Sequence, residues 1–391
     1  MTIKHLFPAT KPTLDLNFAA ERLLDPRITY TRASTGTYVD ARGIVRTAAN
    51  DEPRFDHDPA TGESLGLLIE ESRVNYVENS IDFNAGDWNF VDNGTAPAGP
   101  TCTPNAGTAP DGTNTATRME CALGGGTTNL DECYLTSNRD GSAKRVVSLW
   151  MKSNTGADQT VFAAGFGNPV VTSTWQRFTG TTNDWSVGAR GDVSDQNIDI
   201  LIWGAQVEDG DEAKGFPTSY IATAGATATR AADRCSITGD NFSSWFNQSA
   251  GTFIGTVSSR GRLLLSSVST GPNVYQDTTY GFSSNGETGG ASFNLRYEDR
   301  SQILLMYYTA GWTSTVPMQN YAGAYSAEGV SAAWQGKLGT PPAPLSKPLQ
   351  DDLSHMWIGR THPADSGVQR ISRIAYYPRR LSDEQLQALT S

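Results

Sequence analysis

The chain has 391 residues, 38% of them hydrophobic and 18% charged, with a net charge of −11. That acidic balance, with no Lys/Arg run longer than Arg379-Arg380, argues against nucleic acid as a partner. Nine Trp, 14 Tyr and 14 Phe exclude a disordered composition, while 39 Gly and 19 Pro among many Thr, Ser, Asn and Asp point to short strands joined by turns.

Length alone suggests two or three domains. The opening segment, MTIKHLFPATKPTLDLNF, has no long apolar core, so no secretory leader is expected. No stretch approaches the apolar length of a membrane span, so no membrane insertion is expected.

Residues 1–80 read as a hairpin-rich module. Leu14 to Phe18 alternates apolar and polar as a half-buried strand does, Thr31 to Asp40 continues the pattern, and Ala41-Arg42-Gly43 is a turn into Ile44-Val45-Arg46. Pro53 to Pro59 is turn-like, and Leu65 to Glu70 is a short apolar strand. In residues 81–235 a loop-rich run from Asn93 to Gly112 precedes strands at 115–120, 143–152, 174–181 and 197–207. Along the last of these, Ile198, Ile200 and Ile202 share one face while Leu201 and Trp203 share the other, as in a strand covered on both sides.

Residues 236–391 offer strands at 252–258, 292–297, 302–309, 329–335, 356–360 and 370–377, with a Pro-rich extended connection from Leu338 to Leu353. The chain then ends in a short helix. Ser382 is placed to cap it, Gln385 to complete a capping box, and Leu381 and Leu386 to form a hydrophobic staple. Junctions are expected near Ser80 and near Ala232 to Ser236.

Three stretches carry a resemblance. TRASTGTYVDARGIVRTAANDEPRFDHDPATGESLGLLIEESRVNYVENS (31–80) resembles a module widespread in virion proteins of tailed bacteriophages. DGTNTATRM (111–119), VVSLWMKSNTG (146–156), TWQRF (174–178) and IWGAQVEDGDEAKGFPTSYIATAGATATRAAD (202–233) resemble the carbohydrate-binding-module-like jelly roll that follows it in such proteins. MWIGR (356–360) and YYPRRLSDEQLQALT (376–390) resemble the end of a concanavalin A-like or laminin G-like sandwich. The resemblance implies an all-β fold: a hairpin-rich module at 1–80, a jelly roll at 81–235, a lectin-like sandwich at 236–391 and a short C-terminal helix. It implies a virion-surface structural protein that meets other virion proteins and self-associates as a trimer. The role is a fibre or appendage facing host-surface glycans, with capsid decoration as the alternative and a polysaccharide depolymerase as the weaker third.

The chemistry-bearing residues are sparse. The four His (His5, His57, His355, His362) show no metal-ligand spacing, and the four Cys (Cys102, Cys121, Cys133, Cys235) show no CxxC. No metal and no cofactor is therefore expected. Three of the Cys are close enough in sequence for one bridge, although reduced, partly buried thiols are the plainer expectation. His57 lies between Asp56 and Asp58, where the simplest reading is a turn whose carboxylates bond nearby amides. The acidic turn Glu208 to Glu212 matches no EF-hand spacing.

With no nucleophile or phosphate-loop motif, no catalytic residue is assigned. For sugar binding, Trp150, Trp175, Trp203 and Trp357 read as core. Trp185, beside Asn183 and Asp184, and Trp312 stand in polar contexts and are the candidate stacking platforms.

Overall fold

The computed structural model describes residues 8–137, 145–183, 185–209, 216–261, 263–269, 279–285, 290–297, 302–308, 318–339, 344–345, 348–360 and 367–391. Strand accounts for 49% of the chain and helix for 5%, which agrees with an all-β reading. The chain divides into two compact units. The first joins residues 1–42 and 48–71 to 231–391, and the second holds residues 43–47 and 72–230.

The first unit is a sandwich of two antiparallel sheets. One runs Lys337–Leu338, Gly329–Trp334, Gln319–Ser326, Gly251–Gly261, Gly367–Tyr377, Ser64–Glu70, Phe55–His57, with Leu14–Leu16 also on Gly367–Tyr377. The other runs Thr29–Thr31, Arg234–Thr238, His355–Arg360, Leu263–Ser269, Thr279–Asn285, Gly290–Arg296, Gln302–Tyr308. Between them lies one core: Leu67, Ile69, Phe253, Ile371 and Tyr376 from the first sheet meet Ile237, Phe293, Leu295, Met356 and Ile358 from the second.

The expected free-standing module at 1–80 is corrected here. Leu14–Leu16 and Leu67 to Glu70 both pair with Gly367–Tyr377, and Thr29–Thr31 pairs with Arg234–Thr238. The N-terminal strands are too short to enclose a core of their own, so they complete sheets whose central strands come from the C-terminal half. Besides the short excursion of residues 43–47, the chain crosses between the units at Glu71/Ser72 and Arg230/Ala231. The second lies just ahead of the expected junction, and the first lies nine residues before Ser80.

Gly66 shows why the SLGLL segment holds a glycine. Its φ is +85°, in the left-handed region that favours glycine, and a Cβ there would stand 2.1 Å from the Ile371 carbonyl oxygen. The register of Phe55–His57 on Ser64–Glu70 shifts beside it. At the far end of the unit, Asp383–Thr390 is helical with the expected capping box. The Gln385 amide donates to Ser382 Oγ at 3.3 Å, and the Ser382 amide donates to Gln385 Oε1 at 3.1 Å. Leu381 and Leu386 are both buried, as a staple requires.

The second unit is also a sandwich. One sheet runs Gln176–Thr182, Arg145–Ser153, Asn197–Asp209, Ala116–Ala122, Thr101–Gly107, and the other runs Phe162–Ala164, Ser186–Arg190, Glu132–Ser137, Trp88–Asn93. Asn197–Asp209 is covered on both faces. Ile198, Ile200 and Ile202 enter the core between the sheets, whereas Leu201 and Trp203 pack on the opposite face with Trp150 and Tyr220. Alternation along this strand is therefore apolar on both parities, the pattern that marks a central strand.

Candidate functional site

The first candidate is a cluster of enclosed charges in the first unit. Arg32 follows Thr29–Thr31, Arg54 precedes Phe55–His57, Glu70 ends Ser64–Glu70, and Asp233 precedes Arg234–Thr238. Arg32, Arg54 and Asp233 side chains are 0% exposed and Glu70 is 1% exposed. Arg54 Nη1 donates to Glu70 Oε2 at 2.7 Å and its Nη2 to Asp233 Oδ2 at 2.5 Å. Arg32 Nη1 donates to Asp233 Oδ1 at 3.2 Å and to the Tyr30 hydroxyl at 2.6 Å, and that hydroxyl donates to Asp233 Oδ1.

The rest of the cluster's valence goes to backbone. Arg32 serves the Ser34 and Ala49 carbonyls, Arg54 the Thr37 carbonyl, and Asp233 Oδ2 accepts the Glu70 amide at 2.7 Å. Burial pulls the Arg54 guanidinium toward neutrality, but the Asp233 and Glu70 carboxylates outweigh it and hold the group well above its ordinary range. Burial, followed by the Asp233 charge, pushes the Tyr30 hydroxyl up. Two cations face two anions, so the cluster is balanced in charge. Its geometry ties four distant chain segments together.

Beside it, Asp56 and His57 are folding residues as well. Asp56 accepts the Val39 amide at 2.8 Å and Arg370 Nε at 2.6 Å, and His57 Nδ1 lies 3.0 Å from the Val39 carbonyl. Asp58 matches the turn reading: it accepts the Ala60 and Thr61 amides at 2.8 and 3.0 Å, and the Thr61 amide chiefly lowers its carboxyl's pKa. The segment differs from the expected turn in that Phe55–His57 is a strand.

The second candidate is the region of Trp185. The expectation of an exposed platform is corrected: Trp185 is 5% exposed and lies in the core of the second unit. It packs edge-on to Trp88 at 5.1 Å between ring centroids. The physical reason is its position just before Ser186–Arg190. Trp185, Val187 and Ala189 alternate onto the inner face of that strand, all buried. This period-two pattern was present in the sequence, but the polar Thr-Asn-Asp context masked it.

Asn183 is exposed, while Asp184 and Trp312 lie outside the described residues. Ser137, Arg145, Thr182, Asn183 and Trp185 line a depression with a cavity volume of about 10 Å³, roughly one water molecule's worth. Arg145 is pinned across it, 4.6 Å over the Tyr76 ring and paired with Asp209, whose other oxygen accepts the Tyr76 hydroxyl at 2.7 Å. A pyranose ring needs far more room.

Trp150 and Trp203 are buried as expected, and Trp175 is half-buried with its Nε1 donating to the Thr108 carbonyl. Glu208 is buried and accepts the Thr218 amide and hydroxyl, while residues 210–212 of the acidic turn lie outside the described residues. Among the described residues no group of His, Cys, Asp and Glu is arranged to hold a metal ion, and no helix is long and apolar enough to cross a membrane.

No protein-family model and no curated protein matches the chain. Solved structures with partial similarity include the CBM40 module of a Ruminococcus gnavus IT-sialidase bound to α2,6-sialyllactose. It has 16% identity and a TM-score of 0.31, and the match covers 37% of this chain and 85% of that one. A Trypanosoma rangeli sialidase matches at 18% identity and a TM-score of 0.30, over 40% of this chain and 25% of that one. The receptor-binding domain of botulinum neurotoxin mosaic serotype C/D matches at 10% identity and a TM-score of 0.30, over 40% and 39%. Similarity at this level carries no argument about ligand or activity.

Proposed function

We propose that this chain is a non-enzymatic structural protein of a tailed-bacteriophage virion, exposed on the particle as a fibre or surface appendage. One observation carries the reading. The charged positions of the recognisable pattern, Arg32, Arg54 and Glu70 with Asp233 of the later stretch, are all enclosed and mutually paired. The pattern is thus a folding signature, and it leaves none of these groups facing a substrate. Burial of Trp185 moves the weight from sugar stacking toward assembly.

In this reading the chain meets other virion proteins and associates with copies of itself as a trimer, an analogy with phage appendages. Reconstruction of whole particles that carry the chain tests it. Density on the tail supports a fibre, density on the capsid lattice supports a decoration protein, and absence from purified particles overturns the proposal. Glycan arrays with the purified protein test the attachment role separately, and turnover of a host polysaccharide would overturn the non-enzymatic reading.

A further inference from the structure

In the second unit, Trp88–Asn93 is the edge strand of the four-stranded sheet and pairs with Glu132–Ser137. Its last residue, Asn93, is followed by Gly94, and both are exposed. Gly94 opens a turn at φ +67°, in which the Ala96 amide donates to the Asn93 carbonyl at 3.3 Å. The Thr95 amide donates to Asp131 Oδ1 at 3.0 Å. Unlike those two, the Gly94 amide has no hydrogen-bond partner among the described residues. The Asn93 side chain reaches across to the neighbouring strand, where its Nδ2 donates to Glu132 Oε2 at 2.9 Å. Asn93 and Glu132 stand directly opposite each other in the register.

We propose that Asn93 is a spontaneous deamidation site, and that the change turns the Asn93–Glu132 hydrogen bond into a pair of facing carboxylates. The only co-reactants are water and hydroxide. The Gly94 nitrogen gives its proton to hydroxide and attacks Asn93 Cγ. The Cγ–Nδ2 bond breaks, and ammonia leaves with a proton taken from water. A five-membered imide now joins the two residues. Water then opens the ring on either side of the nitrogen. Cleavage of the bond to Cγ gives aspartate, and cleavage of the bond to the Asn93 backbone carbonyl carbon gives isoaspartate, with the chain running through the former side chain. One water enters, one ammonia leaves, and nothing is oxidised or reduced.

Three features place the reaction here. Glycine carries no Cβ to crowd the closing ring. The attacking amide is not held by a partner. The bond to Glu132 is exposed, so water competes for both of its ends and the side chain turns toward Gly94 at little cost. The sequence holds one other Asn-Gly pair, Asn285-Gly286, whose glycine lies outside the described residues. The consequence is electrostatic, because like charges directly opposite on neighbouring strands destabilise a sheet. Asp92 and Asp131 already flank the pair in sequence, and an edge strand has a neighbour on one side alone to hold it.

The test incubates the folded, full-length protein in mildly alkaline buffer and maps its peptides by mass, with an isoaspartyl methyltransferase marking isoaspartate. The expected result is aspartate and isoaspartate accumulating at position 93 with time, faster as pH rises. Asn93→Asp should lower the melting temperature of the second unit by about 1–3 °C, and adding Glu132→Gln should return that loss. Asn93 still intact when the guanidinium-unfolded chain has converted there would overturn the proposal. An Asn93→Asp protein as stable as wild type, or one that Glu132→Gln leaves unimproved, would overturn its electrostatic half. The wild-type peptide map decides the chemistry even if the variants fold poorly.

Discussion

In the unit built from residues 1–42, 48–71 and 231–391, two arginines and two carboxylates sit fully enclosed beside the apolar core. In the unit of residues 43–47 and 72–230, where Glu208 and Arg230 are also buried, the space between the sheets is filled by Met119, Leu135, Leu149, Ile200 and aromatic rings, with two thiols among them. The difference follows from how each unit is assembled along the chain. The second closes mainly from one continuous stretch, so apolar alternation and short connections suffice to register its strands. The first must bring its early segments onto strands more than 300 residues later. Apolar alternation forbids a one-residue slip but keeps the same face buried after a two-residue one, whereas a guanidinium placed between two carboxylates satisfies its donors in one arrangement.

Five substitutions sharpen or break that comparison, read most directly by calorimetry that separates the melting of the two units. Arg54→Met should have the largest effect, because it takes an enclosed cation away from both Glu70 and Asp233. A loss of about 3–5 kcal/mol is expected in the first unit alone. Adding Glu70→Gln should return part of that loss by restoring charge balance. If the double variant is worse by the sum of the two single effects, balance is not what the cluster supplies. Trp185→Ala should cost about 3–5 kcal/mol in the second unit. A folded, equally stable Trp185→Ala protein would refute its assignment to the core.

Gly66→Ala places a methyl against the Ile371 carbonyl at a positive φ and should cost about 1–3 kcal/mol in the first unit. The smallest effect is expected from Asp199→Asn, about 0.2–1 kcal/mol in the second unit. Its bond from Arg118 chiefly holds the Asp199 carboxyl below its usual value. The contribution is therefore full above about pH 4 and is lost as pH falls through the folded value. Melting temperatures of wild type and Asp199→Asn should converge in acid, and a constant gap from pH 7 to pH 2.5 would contradict the linkage.

Much of this was legible locally. The terminal helix was readable because its cap, box and staple all lie within six residues, Leu381 to Leu386. The covered strand was readable because both parities of Asn197–Asp209 are apolar. The division of the chain was not, because the pairing of Leu14–Leu16 with residues 374–376 leaves no trace in either segment alone. One clue stood in plain view: Glu70 ends an apolar run, and a carboxylate buried with its strand requires a cation from elsewhere. Arg54 was the answer, but nothing in sequence spacing points from one to the other. Trp185 was misread for the opposite reason, since its immediate neighbours are polar while its alternate neighbours are not.

The interrupted build of the first unit also sets a timetable for synthesis. Within the second unit, Arg73 and Arg230 are paired neighbours on adjacent strands, so the intervening stretch leaves and returns at one place, as an inserted cassette does. At ordinary elongation rates, the strand Gly367–Tyr377 emerges roughly 15–60 s after Glu70. Throughout that interval Leu67 to Ile69 has no partner on that side, while the cassette has everything it needs to fold. The nascent protein therefore passes through a stage with a finished middle and an open apolar edge ahead of it, and the timing of translation across residues 231–371 governs how long that edge is available to a wrong partner.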